Sequence, residues 1–398
     1  MAKIDTDTQK IKEILTRGVH EVFTSKELEK KLRSGKQLHL KLGTDVTGPN
    51  LHLGHAVIHR KIRDFQELGH RVTLIIGDFT TIVGDHSDKV DMRSETNAQE
   101  IKQNEEKYKD QFFKTVLKEG TEIRHNSEWL SKLDFNGIIN LAKQFTIAQM
   151  LERETFMLRY NEQKPIGLDE FLYPLMQGYD SVALNCDVEF GGTDQTFNLL
   201  AGRKLMPNFN QNPQSAVVMK LLTGSDGRPM GKSLKNFIPI LDIPNDMYGK
   251  IMSVVDEVIF EYFELVTRVP LTEVEEMRKA VKQGANPMEF KKRLAREIVD
   301  FYHGKDKSLE AEQHFEKTVQ HKEIPTEITV FEVSPNTSLL DTVKMALGEK
   351  ETSSEIKRVI KQGGVEVNGV KVTDPNQPME NKSGDVIKYG KRTYVQVR

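Results

Sequence analysis

The chain has 398 residues, 37% of them apolar and 29% charged, with a net charge of −2 at pH 7. At roughly 100–200 residues per domain this length predicts two to four domains, and the near-neutral charge neither demands nor excludes nucleic acid as a partner. The single cysteine, Cys186, excludes an intrachain disulfide and argues against a structural zinc site, while the lack of any bilayer-length apolar run and the polar start Met1-Ala-Lys-Ile-Asp5 predict a soluble, cytoplasmic protein.

In chain order, the segment up to about Arg33 reads as amphipathic helices, with Ile11, Ile14 and Leu15 and then Leu28 and Leu32 at helical spacing. Gln37 to Leu42 alternates as a strand does. A turn from Gly43 to Asn50 leads into a helix from about Leu53 to Leu68, and Val72 to Ile76 is a β-branched strand. Strand, loop, helix, strand is the unit of a parallel sheet with helical crossovers. Glu95 to about Tyr160 reads as helical and highly charged. Ser181 to Phe190 and Ala216 to Leu222 read as short strands, and helices return after Pro244. Phe290, Leu294, Ile298 and Phe301 mark one helix face, which Gly304 ends. From about Phe331 a small separate module follows. Thr352-Ser-Ser-Glu355 is a capping box ahead of a short helix that stops at Gly363-Gly364. Val365 to Val372 alternates around Asn368-Gly369, the pattern of a type I′ hairpin.

The first constellation with chemistry is Asp45-Val-Thr47-Gly-Pro-Asn-Leu-His52-Leu-Gly54-His55, placed where a strand hands over to a helix. Free backbone N–H groups and the helix dipole favour an anion there. Two imidazoles one turn apart suit the phosphates of a nucleotide, and Gly54 lets a purine approach the backbone. Downstream stands Pro229-Met230-Gly231-Lys232-Ser233, preceded by Arg228. Three more segments carry polar groups at telling places. Tyr173, Gln177 and Asp180 share one helical face. Gly191-Gly192-Thr-Asp194-Gln195 follows a β-rich run, and Asp85-His-Ser-Asp-Lys89 with Arg93 follows another strand. Each alone would pass for an ordinary turn, helix face or surface loop.

The first constellation resembles the HIGH motif of class I aminoacyl-tRNA synthetases, and the second resembles their KMSKS loop, with Pro229 in place of the leading lysine. With the three further segments, the pattern resembles tyrosyl-tRNA synthetases of bacterial type over nearly the whole chain. The resemblance implies an α/β chain. A Rossmann-like parallel-sheet catalytic domain with a helical dimer-interface insertion would occupy 1–235, an α-helical anticodon-side domain 236–328, and a small α+β S-four RNA-binding domain 331–398.

The resemblance also implies roles. Thr47, His52, His55, Lys232, Lys89 and Arg93 would stabilise the reacting phosphates, the last two on the leaving pyrophosphate. Asp45, Gly54, Gly192, Asp194, Met230, Lys232 and Ser233 would hold ATP, with Gly192 and Asp194 on its ribose. Asp85, Tyr173 and Gln177 would hold the α-amino group of tyrosine, Asp180 its phenol, and Gln195 would lie near its carboxylate. In many such enzymes a tyrosine on the first strand shares the phenol; the matching residue here is Lys41, which leaves the second phenol partner open. In the last module Lys357, Arg358, Lys361, Lys388, Lys391 and Arg392 would meet RNA.

The implied activity is tyrosine–tRNA ligation in two steps, with L-tyrosine, Mg²⁺–ATP and tRNA(Tyr) as partners and no protein-ligated metal. A homodimer is expected, with the segment around Trp129 to Phe156 at its interface. Two alternatives stay open: a tryptophan-activating or other adenylyl-transferring relative, against which Asp180 and the last module argue, and a catalytically silent RNA-binding paralogue, supported only by Pro229.

Overall fold

Strands buried on both faces are mostly apolar, with any buried polar group paired, and the centre of this chain supplies such runs. A computed structural model describes residues 4–46, 48, 50–84, 98–232, 234–320, 329–334, 337–348, 351–380, 382–390 and 393–397. It divides into two units, Met1–Gly304 and Lys305–Arg398.

The first unit holds six strands: β1 (Val19–Phe23), β2 (His39–Thr44), β3 (Arg71–Ile76), β4 (Thr121–His125), β5 (Val188–Gly192) and β6 (Ser215–Met219). Their order across the sheet is β1-β6-β5-β2-β3-β4. All neighbours are parallel except β1, which runs antiparallel to β6. Every residue of β5 and β6 is buried, as expected of a parallel sheet covered on both faces. From β2 the chain winds out through β3 and β4, then returns to the other side of β2 as β5 and β6. The order therefore reverses between β2 and β5. At such a switch point the loops leaving the carboxyl ends diverge and open a crevice, where ligands of open α/β sheets bind.

Three expectations from the sequence need correction. The first 33 residues are not all helical, because β1 separates the Thr8–Thr16 and Ser25–Arg33 helices as an edge strand on β6. The stretch after Glu95 is interrupted by β4, a polar edge strand. Ser181 to Leu184 is the last turn of the Tyr173–Leu184 helix, which ends on Asn185 at φ 46°, and the strand begins only at Val188. The other elements lie within a few residues of their expected bounds.

The Tyr173–Leu184 helix carries three of the candidate site residues, so its seat matters. It lies against the Thr196–Leu205 helix at Gly178, where a Cβ would stand 2.8 Å from Leu205 Cδ1 and 3.2 Å from the backbone of Ala201 and Gly202. After the sheet, the helices Pro244–Met252, Ile259–Val266, Leu271–Lys282 and Pro287–His303 pack within the same unit.

The second unit has a five-stranded sheet of order β7-β11-β10-β8-β9, formed by β7 (Thr329–Phe331), β8 (Val365–Val367), β9 (Val370–Lys371), β10 (Val386–Tyr389) and β11 (Thr393–Val397). Leu339, Val343, Ile356, Ile360, Val365, Ile387 and Val397 form its own core. Asn368 and Gly369 have φ of 50° and 80°, as the type I′ turn requires. The capping box is half made. Thr352 accepts from the Glu355 backbone N–H, while the Glu355 carboxylate pairs with Arg358 instead.

The Gly178 contact yields a first prediction. Gly178→Ala pushes a methyl group into a backbone-lined space, and overpacking of this kind costs about 1–3 kcal/mol. Denaturant unfolding will show that loss, and tyrosine affinity will fall with it because the helix bearing Tyr173, Gln177 and Asp180 is displaced. Unchanged unfolding would mean that the two helices separate freely at this point.

Candidate active site

The turn after β2 places two histidines against each other, with ring centroids 4.0 Å apart. His52 is the N-cap of the Leu53–Glu67 helix. Its Nδ1 accepts from the Gly54 backbone N–H at 3.2 Å, and His55 Nδ1 accepts from the His52 backbone N–H at 3.2 Å. A ring nitrogen that accepts carries no proton, so each neutral ring bears its proton on Nε2. Burial, then the neighbouring His55 and Lys232, pushes His52 down to about 2. Burial, with Lys232, pushes His55 to about 4. Both rings are neutral at pH 7 and offer oriented N–H donors rather than charge.

The second motif lies against the first. Leu53 N–H donates to Ile238 O at 3.0 Å and Ile240 N–H to Leu51 O at 3.0 Å, so the chain after the loop runs beside the histidine turn. A Cβ on Gly54 would stand 3.5 Å from Met230 Sδ, and one on Gly48 would stand 3.3 Å from Lys232 Nζ. Both glycines thus leave room for the loop. Asn236, which the sequence did not single out, organises that loop. Its Oδ1 accepts from Gly231 N–H at 2.9 Å, and its Nδ2 donates to Asp226 at 2.8 Å and to Pro229 O at 3.1 Å. Arg228 is tied to Asp226 at 2.5 Å and 2.8 Å. Hydrogen bonds from Asn236 and then Arg228 hold the Asp226 carboxyl down to about 2.

Beyond the carboxyl ends of β2 and β5, at the switch point, lies a cavity of about 230 Å³ lined by Thr44, Asp45, Thr80, Asn126, Tyr173, Gln177, Asp180, Asp194 and Gln195 among others. Asp180, 3% exposed, accepts from Trp129 Nε1 at 2.7 Å and Asn126 Nδ2 at 3.4 Å. Burial raises its carboxyl to about 7, against the opposing pull of Lys41 and the two donors. Tyr173 O–H donates to Asp45 Oδ2 at 2.8 Å, and Thr80 donates to Asp45 Oδ1 at 2.8 Å. Asp45 and Tyr173, expected to serve different substrates, therefore share a hydrogen bond. Gln177 Nε2 donates to Glu189 Oε1 at 3.1 Å. Gln195 joins Asp194 at 3.2 Å and Asn198 at 2.9 Å. A Cβ on Gly192 would lie 2.4 Å from Asp194 Oδ1 and 2.7 Å from Leu221 Cδ2, so a side chain there would displace the Asp194 carboxylate.

The structure thus gathers Asp45, Tyr173, Gln177, Asp180, Asp194 and Gln195 around one cavity and brings His52, His55, Gly54, Met230 and Lys232 together near the start of the Leu53–Glu67 helix. Thr47, Asp85, Lys89, Arg93 and Ser233 lie outside the described residues. Trp129, Asn126, Thr80, Glu189 and Asn236 are site neighbours that the sequence reading missed as such; only spatial proximity identifies them.

In the second unit Lys357, Arg358 and Lys361 sit on the Ser353–Lys361 helix, with Lys357 and Lys361 exposed and Arg358 bound to Glu355 at 2.5 Å. Lys388, on β10, has Glu366 at 3.8 Å and the Tyr394 ring at 5.5 Å. Lys391 and Arg392 lie outside the described residues.

Comparison with known proteins agrees with this arrangement. Residues 33–320 match the family model of class I tRNA synthetases (W and Y), and residues 340–387 match the S4 domain. The chain is 45% identical to a tyrosine–tRNA ligase of Moorella thermoacetica, covering 99% of this chain and 97% of that one. It is 42% identical to the Thermotoga maritima enzyme of the same name, over 96% of each. A tyrosyl-tRNA synthetase of Archaeoglobus fulgidus, solved with L-tyrosine, shares the fold at 21% identity and a TM-score of 0.62, over 78% of this chain and all of that one. The two meeting signature segments, the cavity at the switch point and the full-length likeness place the chain in the tyrosine–tRNA ligase family of class I aminoacyl-tRNA synthetases.

Proposed function

We propose that the chain activates L-tyrosine with ATP and transfers it to the 3′ end of tRNA(Tyr). Asp180 carries the tyrosine reading. It is a buried carboxylate at the cavity wall, already satisfied in part by Trp129 and Asn126, and it has acceptor capacity left for a phenol O–H. The full-length likeness to tyrosine–tRNA ligases supports a phenol rather than an indole as that donor. In the first step a substrate carboxylate oxygen attacks the α-phosphorus, a P–O bond forms, and the bond to the β-phosphate oxygen breaks to release pyrophosphate. No protein nucleophile is required, so catalysis is positioning together with stabilisation of charge on the phosphates. His52 and His55 donate N–H groups there, Lys232 brings the positive charge, and Mg²⁺ travels with the triphosphate as part of the substrate. Asp194 and Gly192 hold the ribose, Gln195 lies by the carboxylate, and Gln177 and Tyr173 read the ammonium. In the second step the terminal ribose hydroxyl of tRNA attacks the tyrosyl carbonyl and AMP leaves. Phe135, Ile147 and Leu168, each more than 70% exposed in one stretch of the chain, support a homodimer, since apolar side chains of that exposure favour a partner surface. Tyrosine-dependent exchange of pyrophosphate into ATP tests the whole reading; exchange with tryptophan alone, or none at all, overturns it.

The raised Asp180 carboxyl sets a pH dependence. Its value in the folded chain, about 7, lies above the ordinary 3.8, so the protonated form is favoured in the fold and that advantage is lost as pH rises through about 7. The phenol needs the ionised acceptor. Tyrosine kcat/KM will therefore fall as pH drops below about 7, and Asp180→Asn will remove that inflection. Asp180→Ala will lower tyrosine activation far more than phenylalanine activation, because the hydroxyl contact is lost only for tyrosine. An equal loss for both amino acids would show that Asp180 does not touch the phenol.

The loop geometry separates two cations. Lys232 lies by the histidine turn, whereas Arg228 is held by Asp226. Lys232→Ala will lower the rate of adenylate formation with little change in tyrosine affinity, the signature of a contact made in the transition state. Arg228→Ala will cost less, about 1 kcal/mol or below for an exposed pair. Pre-steady-state kinetics decides between them; a larger loss at Arg228 would mean that it leaves Asp226 during catalysis.

For the second unit, charge reversal at both Lys357 and Lys361 will raise the KM for tRNA and leave pyrophosphate exchange unchanged. The effect will shrink as salt rises, because phosphate contacts are weakened by salt. If aminoacylation at dilute tRNA is unaffected, this helix does not bind RNA.

A further inference from the structure

Lys41 and Glu189 face each other in the parallel register of β2 and β5, at the switch point itself. Both are fully buried and form an ion pair at 2.9 Å. Neither lines the cavity. The three ammonium protons of Lys41 are all taken, by Glu189, by the Gln177 carbonyl at 2.8 Å and by Ser181 Oγ at 2.7 Å. Lys41 therefore has no proton left for a substrate phenol. Glu189 is equally full. Its Oε1 accepts from Lys41 and from Gln177 Nε2 at 3.1 Å, and its Oε2 accepts from Ser181 Oγ at 3.3 Å and from Gln214 Nε2. Four donors fill the four acceptor sites of a carboxylate.

A saturated carboxylate accepts only, so the Gln177 amide can meet it in one orientation alone, nitrogen toward Glu189 and oxygen away. The reverse orientation would set the amide oxygen against a full negative charge. We infer that the Lys41–Glu189 pair is the positioning device of the amino-acid pocket: it locks Gln177 so that its Oε1, an acceptor, faces the α-ammonium of the substrate. The pair also anchors the helix, since Lys41 binds both the carbonyl of Gln177 and the hydroxyl of Ser181. This assigns Lys41 and Glu189 as positioning residues, acting through Gln177, and it rests on the tyrosine-activating reading above.

The test compares tyrosine with its deamino analogue, which keeps the phenol and carboxylate but has no ammonium. Glu189→Gln supplies an amide that can donate or accept, which unlocks Gln177. Tyrosine KM is expected to rise about ten- to hundredfold, the usual weight of a charge-assisted hydrogen bond. The inhibition constant of the deamino analogue should stay within about threefold, a change that the same weighting treats as minor. A general loss of structure would weaken both ligands alike, and that result overturns the inference. Because Glu189→Gln leaves Lys41 buried without its counter-charge, Lys41→Met/Glu189→Leu provides a second variant, and replacing a buried pair by apolar residues is often tolerated. The double variant should unfold like the wild type yet show the same selective loss for tyrosine. Wild-type tyrosine KM in the folded double variant overturns the inference. Lack of tyrosine-dependent exchange in the wild-type protein would instead overturn the functional reading on which it rests, so the two failures are told apart.

Discussion

Everything the site does depends on the pairing of β2 with β5. These strands are separated by more than a hundred residues of chain, yet they lie side by side and parallel, with Leu40 opposite Val188 and Lys41 opposite Glu189. Since the sheet reverses its winding here, the loops after the two strands part and leave the cavity open. The histidine turn leaves one strand and the Gly191–Gln195 segment leaves the other. A slip of one residue in this pairing would turn Lys41 and Glu189 to opposite faces and close neither charge.

Polar groups around this junction are arranged so that few are left to water or to chance. Asp45 is held by Tyr173 and Thr80, Asp180 by Trp129 and Asn126, and Glu189 by four donors. A partly satisfied buried network is costly, while a complete one is rigid. Rigidity is what a positional catalyst needs, because its donors must already stand where charge will develop. The same logic explains Asn236, whose one side chain fastens both arms of the signature loop.

The sequence disclosed the parts of this design that are local and concealed those that are not. The histidine turn, the glycine pair at Gly191–Gly192 and the helix face bearing Tyr173, Gln177 and Asp180 are each contained in a short stretch, where spacing alone predicts what shares a surface. The Asn368–Gly369 hairpin was legible for the same reason. Glu189 was not, because it stands inside an apolar strand and its partner Lys41 is remote in sequence; only the strand register joins them. Lys41 was visible as a departure from the family pattern, but its task could not be read until its three acceptors were known. The edge strand β1 was mistaken for helix because an edge strand is exposed on one side and its short run Val-His-Glu-Val-Phe lacks strict alternation. The end of the Tyr173–Leu184 helix reads as strand from the sequence because the short run Ser-Val-Ala-Leu carries no clear period, and four such residues fit either one.

Charge around the histidine turn follows from a constraint on buried groups. A buried cation without a partner is costly, and several gathered together would repel one another. The two histidines avoid that cost by being neutral, each held with Nε2–H available because Nδ1 accepts from the backbone. Positive charge stands instead on Lys232, an exposed residue whose Nζ would lie 3.3 Å from a Cβ on Gly48. Pro229 removes a cation from that loop, and Arg228 is balanced by Asp226, while Lys232 lies near the histidine turn. The division is therefore physical. Fixed neutral dipoles can be buried and preorganised in advance, whereas a full charge is cheaper to carry where solvent can support it, as on the exposed Lys232.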